Sequence, residues 1–288
     1  MATAQEQLHR GFEMLSAAGV AGPAREASSL LQFALGRDKV FLVAHPEYEL
    51  TEKEIQLYSS VLERRANREP FHYIIGLKEF YGLEFAITPD VLIPRPETEI
   101  LVEEAIRLIR ENGWTRICEI GVGSGCIAVS ILKNAANVTA VGADISSSAL
   151  GVARQNAEKH KVLERLDLKL SNIFSDIDEE NFDLIVSNPP YIPLKDIADL
   201  QSEVRDYEPN FALTDGADGL SIVQAIATGA KDRLGHGGVL LIEIGWDQSE
   251  RVAAMFDLSE WKSVGFLPDL QGIPRILKAV RFDSLDSE

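Results

Sequence analysis

The tetrapeptide Asn188-Pro189-Pro190-Tyr191 follows the run FDLIVS, which reads as a strand. Prolines carry no backbone N–H, so two in succession fix the loop and leave the Pro189 carbonyl and the Asn188 side-chain oxygen as free acceptors. Such a pair suits a planar NH2 group. An amide or aniline-like nitrogen is a poor nucleophile because its lone pair is delocalised. Two acceptors that take both hydrogens can turn that nitrogen toward a methyl sulfonium, and delocalisation falls as it pyramidalises. No strong general base is required, since the nitrogen becomes acidic only as it gains the methyl and can lose its proton afterwards. Tyr191 is expected to form an aromatic wall for the planar group.

A second group of residues, Glu119, Gly121, Val122, Gly123, Ser124 and Gly125, falls where an expected strand, RICEI, meets an expected helix. A glycine-rich turn there lets backbone N–H groups approach a ligand at the end of a sheet where doubly wound folds bind cofactors. The spacing is GxGxG, with Cys126 where a dinucleotide fingerprint would need glycine. Asp144 ends the next strand, 23 residues after Gly121, and a carboxylate there can accept both hydroxyls of a ribose; a helix cap or strand-end turn is its structural alternative. This pattern, with a terminal antiparallel hairpin, resembles the seven-stranded Rossmann-like S-adenosylmethionine-dependent methyltransferases. The resemblance implies adenine contact around Asn172, Ile173 and Phe174. No P-loop lysine appears, which argues against an NTPase.

The elements that must position these groups divide the chain. Up to about residue 70 the sequence reads as helices: Gln5 to Ala18, Pro23 to Leu35, Val40 to Ala44, and Thr51 to Arg68, the last with a Thr51–Glu54 capping box. Arg64, Arg65 and Arg68 are expected on a solvated face. Phe71 to Ile93 reads as a strand pair or hairpin broken by Gly76 and Gly82. In the following segment, LIPRPETE, Pro94 and Pro96 hold Arg95 out of a helix and place it rigidly with Glu97 and Glu99. Beyond Gly113 strands and helices alternate, with a helix expected over Ser124 to Asn134, which implies a parallel sheet wrapped by helices. Trp261 to Leu267 and Arg275 to Phe282 lack room for a crossover and should pair antiparallel at the sheet edge. The expected boundaries are a helical substrate-docking domain over 1–78, a β-hairpin linker over 79–93 and a methyltransferase domain over 94–288.

Composition removes several alternatives. The 288 residues carry a net charge of −17, with 9 basic and 12 acidic side chains in residues 1–85 against 19 and 33 in the rest. Broad capture of nucleic-acid phosphates needs clustered Lys and Arg, so an acidic catalytic half disfavours it. No apolar run is long enough for a membrane span, and the N-terminus lacks the pattern of a secretory signal. Cys118 and Cys126 have no partners at zinc-ligand spacing, so no metal site is expected and both read as reduced thiols.

The segments REPFHYIIGLKEFYGLEF, VLIPRPETE, CEIGVGSGCIAVS, SNPPYI, ALTDGADGL and LIEIG occur in that order. They closely resemble the peptide chain release factor N(5)-glutamine methyltransferase family (PrmC/HemK), over most of residues 60 to 280. The resemblance implies an α/β methyltransferase sheet with an antiparallel last strand, behind a small all-α domain. It also implies methylation of the glutamine in the Gly-Gly-Gln loop of class I release factors 1 and 2. S-adenosylmethionine would be the donor and S-adenosylhomocysteine the other product. By the same carry-over, Gly121 to Gly125, Asp144 and Ile173 hold the cofactor, Asn188 to Tyr191 grip the glutamine, and Arg95, Glu97 and Glu99 shape the pocket mouth. The family often has an aromatic residue at position 173, where this chain has isoleucine. A cytoplasmic monomer without direct nucleic-acid or membrane contact is expected. The rival is a methyltransferase of adenine N6 or guanine N2 in nucleic acid, which shares NPPY but predicts a basic groove. A non-enzymatic S-adenosylmethionine sensor would have no need of paired acceptors.

Overall fold

Five parallel strands and an antiparallel pair make the central sheet of the chain, and the computed structural model describes residues 2–282. The chain divides into two units, the first running to Leu77 and including Gln201–Tyr207, the second holding Lys78–Leu200 and the remainder from Glu208.

The first unit is helical. Helices α1 (Ala4–Ala17) and α4 (Glu52–Ala66) both begin with capping boxes, Thr3 with Glu6 and Thr51 with Glu54. These boxes satisfy first-turn N–H groups that a helix leaves open. Between them lie α2 (Pro23–Leu35), opened by proline at its first position, and α3 (Lys39–Ala44), capped by Asp38. Leu15, Leu30, Leu31, Tyr58 and Leu62 fill the core, and the Tyr58 hydroxyl donates to the Ala27 carbonyl at 3.2 Å. Of the arginines expected on a solvated face, Arg64 is exposed, but Arg65 and Arg68 are turned to partners within the protein. Arg65 is 5% exposed and pairs with Glu26 and Glu203. Arg68 donates to Glu203 at 2.7 Å and to Ser202 at 3.2 Å, while Arg64 pairs with Glu69. The shared partner of Arg65 and Arg68 is a short helix, Ser202–Tyr207, that the chain supplies more than a hundred residues later. The aromatic run expected as strand also starts differently, since Phe71–Ile75 forms a short helix, α5, ended by Gly76.

The second unit opens with a hairpin, β1 (Leu77–Phe80) and β2 (Leu83–Ala86). Its sheet has the order β5-β4-β3-β6-β7-β9-β8. The parallel strands are β3 (Arg116–Ile120), β4 (Thr139–Asp144), β5 (Leu166–Leu170), β6 (Phe182–Ser187) and β7 (Leu234–Glu243). Helices α6 (Thr98–Asn112), α7 (Cys126–Asn134), α8 (Ser147–Lys159) and α9 (Ser221–Arg233) accompany them, with a short α10 (Ser249–Ala253) after β7. The inner strands β3, β6 and β7 are apolar on both faces because helices cover both. Strands β8 (Trp261–Pro268) and β9 (Pro274–Arg281) pair antiparallel, and β9 joins β7 antiparallel, as the missing crossover requires.

Strand order reverses between β3 and β6. The chain builds outward from β3 through β4 to β5, then returns to β6 on the other side of β3. At such a switch point the loops beyond the carboxyl ends of the two strands diverge and leave a crevice. Among the described residues no helix is long and apolar enough to cross a membrane.

Candidate active site

The loops after β3, β4, β5 and β6 surround a cavity of about 300 Å³ in the second unit. Glu119, Gly121, Val122, Gly123 and Ser124 line it from the glycine turn, Asp144 from β4, Ile173 from the loop after β5, and Asn188 and Pro190 from the loop after β6. Arg95 and Thr98 complete one wall. Gly125, Pro189, Tyr191 and Glu97 are not among its lining residues.

The glycine turn is held from three sides. Gly125 has φ +79 and caps α7, and Cβ atoms at that position would press on Ala153 at 3.3 Å. A left-handed residue there cannot continue a helix, so α7 starts at Cys126 and not at Ser124 as expected. Glu119, 1% exposed, accepts from the Ala128 N–H at 2.8 Å. Asn156, fully buried on α8, donates to the Ser124 carbonyl at 2.9 Å and exchanges two hydrogen bonds with the Ala86 backbone at the end of the hairpin.

Asp144 makes the strand-end turn that is its structural alternative and also lines the cavity. Oδ1 accepts from the Ser146 N–H at 2.9 Å, a strand-end turn, while Oδ2 accepts from the Gly123 N–H at 2.8 Å and ties β4 to the glycine turn. Each carboxylate oxygen has capacity for a further hydrogen bond. Burial raises the pKa of Asp144, opposed by the N–H groups of Ser146, Gly123 and Ile145. Burial raises Glu119 much further, with Ala128 opposing and Asp144 adding repulsion. Ile173 adopts φ +56, a left-handed conformation that is a genuine outlier for a β-branched residue. Its neighbour Phe174 is buried beneath Arg233, whose guanidinium lies 5.0 Å from the ring centroid.

Beyond β6, the Asn188 side chain is oriented by a residue not singled out in the sequence. Asn188 Nδ2 donates to Thr98 Oγ1 at 3.1 Å, which commits the amide nitrogen and leaves Oδ1 as acceptor. Tyr191 turns its hydroxyl to Glu243 Oε1 at 3.3 Å. Its backbone is clamped by Gln248, whose Nε2 donates to the Tyr191 carbonyl at 2.8 Å and whose Oε1 accepts from the Gly245 N–H at 2.9 Å. The ALTDGADGL loop packs against this segment, with Ile192 N–H donating to Leu213 and Leu194 N–H to Ala217. Asp215 organises that loop. Burial works against its ionisation, but the Ser221 hydroxyl and the N–H groups of Ala217, Ser221 and Gly219 hold its pKa down to about 2.

The IPRPETE residues divide their work. Arg95 pairs with Glu208 at 2.6 Å, and the same carboxylate accepts from the Ile93 N–H at 3.3 Å. Thr98 reaches Asn188, Glu99 accepts from the Tyr81 N–H at 2.9 Å in the hairpin turn, and Glu97 caps α6 by position without a side-chain bond. Cys118 and Cys126 are buried free thiols, and no group of metal-ligating side chains occurs among the described residues.

A seven-stranded sheet with an antiparallel hairpin, a glycine turn after its central strand and a carboxylate on the next strand defines a methyltransferase of the Rossmann-like class. The fold is shared with the catalytic domain of hMettl16, solved bound to an RNA hairpin, at a TM-score of 0.56 and 16% identity over 77% of this chain and 81% of that one. The family model described as PrmC N-terminal domain matches residues 6–76, and that described as Methyltransferase small domain matches 98–203. The chain is 42% identical to the release factor glutamine methyltransferase of Geobacter sulfurreducens over 93% of its own length and 92% of that protein's. It is 36% identical to the enzyme of that name from Koribacter versatilis, over 96% and 97%. The chain belongs to the release factor glutamine methyltransferase family.

Proposed function

We propose that this protein transfers a methyl group from S-adenosylmethionine to the side-chain nitrogen of the glutamine in the Gly-Gly-Gln loop of peptide chain release factors 1 and 2. The observation that carries the reading is the orientation of Asn188. With Nδ2 given to Thr98, the side chain offers the incoming amide an acceptor and not a donor. Asn188 Oδ1 and the Pro189 carbonyl then take the two hydrogens of the glutamine amide. Its nitrogen is held with the lone pair free, and the proton leaves after the methyl has been gained.

The cavity fits the cofactor by Asp144 for the ribose hydroxyls and Ile173 for one face of the adenine; the glycine turn gives it shape rather than donors, since Gly121 and Val122 donate their N–H groups to Ala143, Gly123 to Asp144 and Gly125 to Val122. When bound, the cofactor supplies a methyl group on a sulfonium. Arg95, fixed by Glu208, narrows the mouth, with Glu97 beside it. The helical unit serves to dock the body of the release factor. The protein acts as a cytoplasmic monomer, without direct nucleic-acid contact.

The test is methyl transfer from labelled S-adenosylmethionine to purified release factor, beside a factor whose loop glutamine is replaced, with DNA and RNA as parallel acceptors. Label on the intact factor alone is expected. Label on nucleic acid would keep the NH2 chemistry and overturn the substrate.

A further inference from the structure

Gly229 sits inside α9, where glycine weakens a helix relative to alanine. The position needs it. A Cβ there would stand 2.5 Å from Phe174 Cδ2 and 2.9 Å from Cε2, both well inside ordinary carbon contact. The Phe174 ring is buried in the notch that the missing side chain leaves. Arg233, the last residue of the same helix, covers the ring and donates through Nη2 to the carbonyls of Phe174 at 3.2 Å and Ile177 at 3.1 Å. Its Nε is buried without a hydrogen-bond partner, a desolvation cost that the contacts to the Phe174 loop must offset.

Phe174 follows Ile173, which lines the cavity in a left-handed conformation that a β-branched residue keeps only when its surroundings enforce it. The Ile173 carbonyl accepts from Ser171 Oγ at 3.1 Å, and the Phe174 carbonyl accepts from the Ile177 N–H at 3.2 Å as well as from Arg233. We infer that Phe174 is a positioning residue for cofactor binding: slotted at Gly229 under Arg233, it holds the backbone turn that presents Ile173 to the adenine. Phe174, Gly229 and Arg233 are not among the residues lining the cavity, so they act on it through Ile173. The inference rests on the proposed contact between Ile173 and adenine and adds what fixes it.

The turn also closes on itself. The Asn172 N–H donates to Ser175 Oγ at 3.2 Å, and the Asp176 N–H donates to Ser171 Oγ at 3.1 Å. Those bonds shape the turn, and Phe174 and Arg233 tie the shaped turn to α9. In Gly229→Ala the ring must move outward by about 1 Å to regain ordinary contact, and Ile173, its neighbour in the chain, moves with it. Losing one apolar wall of a binding site corresponds to about tenfold in affinity.

The experiment is calorimetric binding of S-adenosylhomocysteine to the full-length, cofactor-free protein: wild type, Gly229→Ala, Phe174→Leu, the Gly229→Ala/Phe174→Leu double variant and Ile173→Ala. Thermal melting and steady-state methylation of release factor are measured alongside. Ile173→Ala is expected to weaken binding about tenfold. Gly229→Ala and Phe174→Leu should each do the same and raise KM for S-adenosylmethionine in proportion, with kcat and KM for the factor within about threefold of wild type. A merely structural role would lower the melting temperature and leave the affinity of the folded protein unchanged. In the Phe174→Leu background the added Gly229→Ala should cost less than about threefold, because the ring edge it strikes is gone. Folded Gly229→Ala and Phe174→Leu proteins with wild-type affinity, beside a weakened Ile173→Ala, overturn the positioning role and leave the adenine contact standing. Losses that multiply in the double variant overturn it too. Wild-type affinity in Ile173→Ala overturns the contact and the inference with it. Should Gly229→Ala fail to fold, Phe174→Leu decides by the same readings.

Discussion

Gly219 offers a test of how tightly the NPPY loop must be held. It has φ +80, and a Cβ there would overlap the Tyr191 carbonyl oxygen, with the carbonyl carbon at 2.8 Å and Gln248 Nε2 at 3.1 Å. Ordinary carbon contacts begin at about 3.5 Å, so in Gly219→Ala the Tyr191 carbonyl must retreat by more than about 1 Å. That movement breaks its bond from Gln248 Nε2, now 2.8 Å long, at a cost of about 1 kcal/mol. The left-handed backbone adds about 1–2 kcal/mol for an L side chain. The variant should thus be less stable by about 2–3 kcal/mol and still fold. Asn188 is three residues from the displaced carbonyl, and a shift of about 1 Å in a positioning loop corresponds to roughly 100-fold in kcat, or about 2.7 kcal/mol. Gly121, Gly123 and Asp144 belong to other loops and hold their places, so cofactor affinity should change by less than about threefold. Initial rates of methyl incorporation into release factor, calorimetric cofactor binding and a thermal melt would measure all three. A folded Gly219→Ala enzyme with kcat within about threefold of wild type would refute the claim that loop position limits transfer.

Three further outcomes are expected. Asn188→Ala should abolish detectable transfer while leaving cofactor affinity within a few fold, since its Oδ1 acts on the nucleophile; near-normal turnover would remove it from the mechanism. Asp144→Ala removes acceptors from the Gly123 and Ser146 N–H groups as well as from the ribose. Charged hydrogen bonds contribute about 1.5–3 kcal/mol each, so cofactor binding should weaken by roughly 100-fold, and unchanged affinity by calorimetry would take Asp144 off the ribose. Burial lifts the folded pKa of Glu243 to about 7 against roughly 4.3 unfolded, so between those values the folded state binds the extra proton. Its contribution is fully present below the unfolded value and is lost as pH rises through about 7, by up to about 4 kcal/mol. Urea denaturation at pH 5 and pH 8 should show a smaller decline for Glu243→Gln than for the wild type, and equal declines would contradict the burial argument.

What the sequence made legible was whatever acts over a short span after a strand. GxGxG, the acid closing the next strand and NPPY are each confined to one loop, and the rule that loops at the carboxyl ends of parallel strands meet was enough to bring them together. The supports were not legible because each acts across the fold. Thr98 lies 90 positions from Asn188, Asn156 lies 32 from Ser124 and 70 from Ala86, and Glu208 lies 113 from Arg95. Asp215, Gly219 and Glu243 belong to ALTDGADGL and LIEIG, which carried a family resemblance but no chemistry of their own. A carboxylate in a strand has no signature until its neighbours are known. The same blindness put Arg65 on a solvated face, since nothing near it in sequence announces Glu203.

That distant partner also sets a schedule. A ribosome adds roughly 5–20 residues per second, and Arg68 and Glu203 are 135 positions apart. The helical unit is therefore born incomplete and waits on the order of ten seconds for its last short helix. During that interval Arg65 has Glu26 and Arg68 has the Gly19 carbonyl but neither has Glu203, so a chaperone or protease meeting the nascent chain encounters an open seam. Cutting the gene at the boundary near residue 77 would make the seam permanent, whereas a fragment carrying a grafted copy of residues 201–207 would close it.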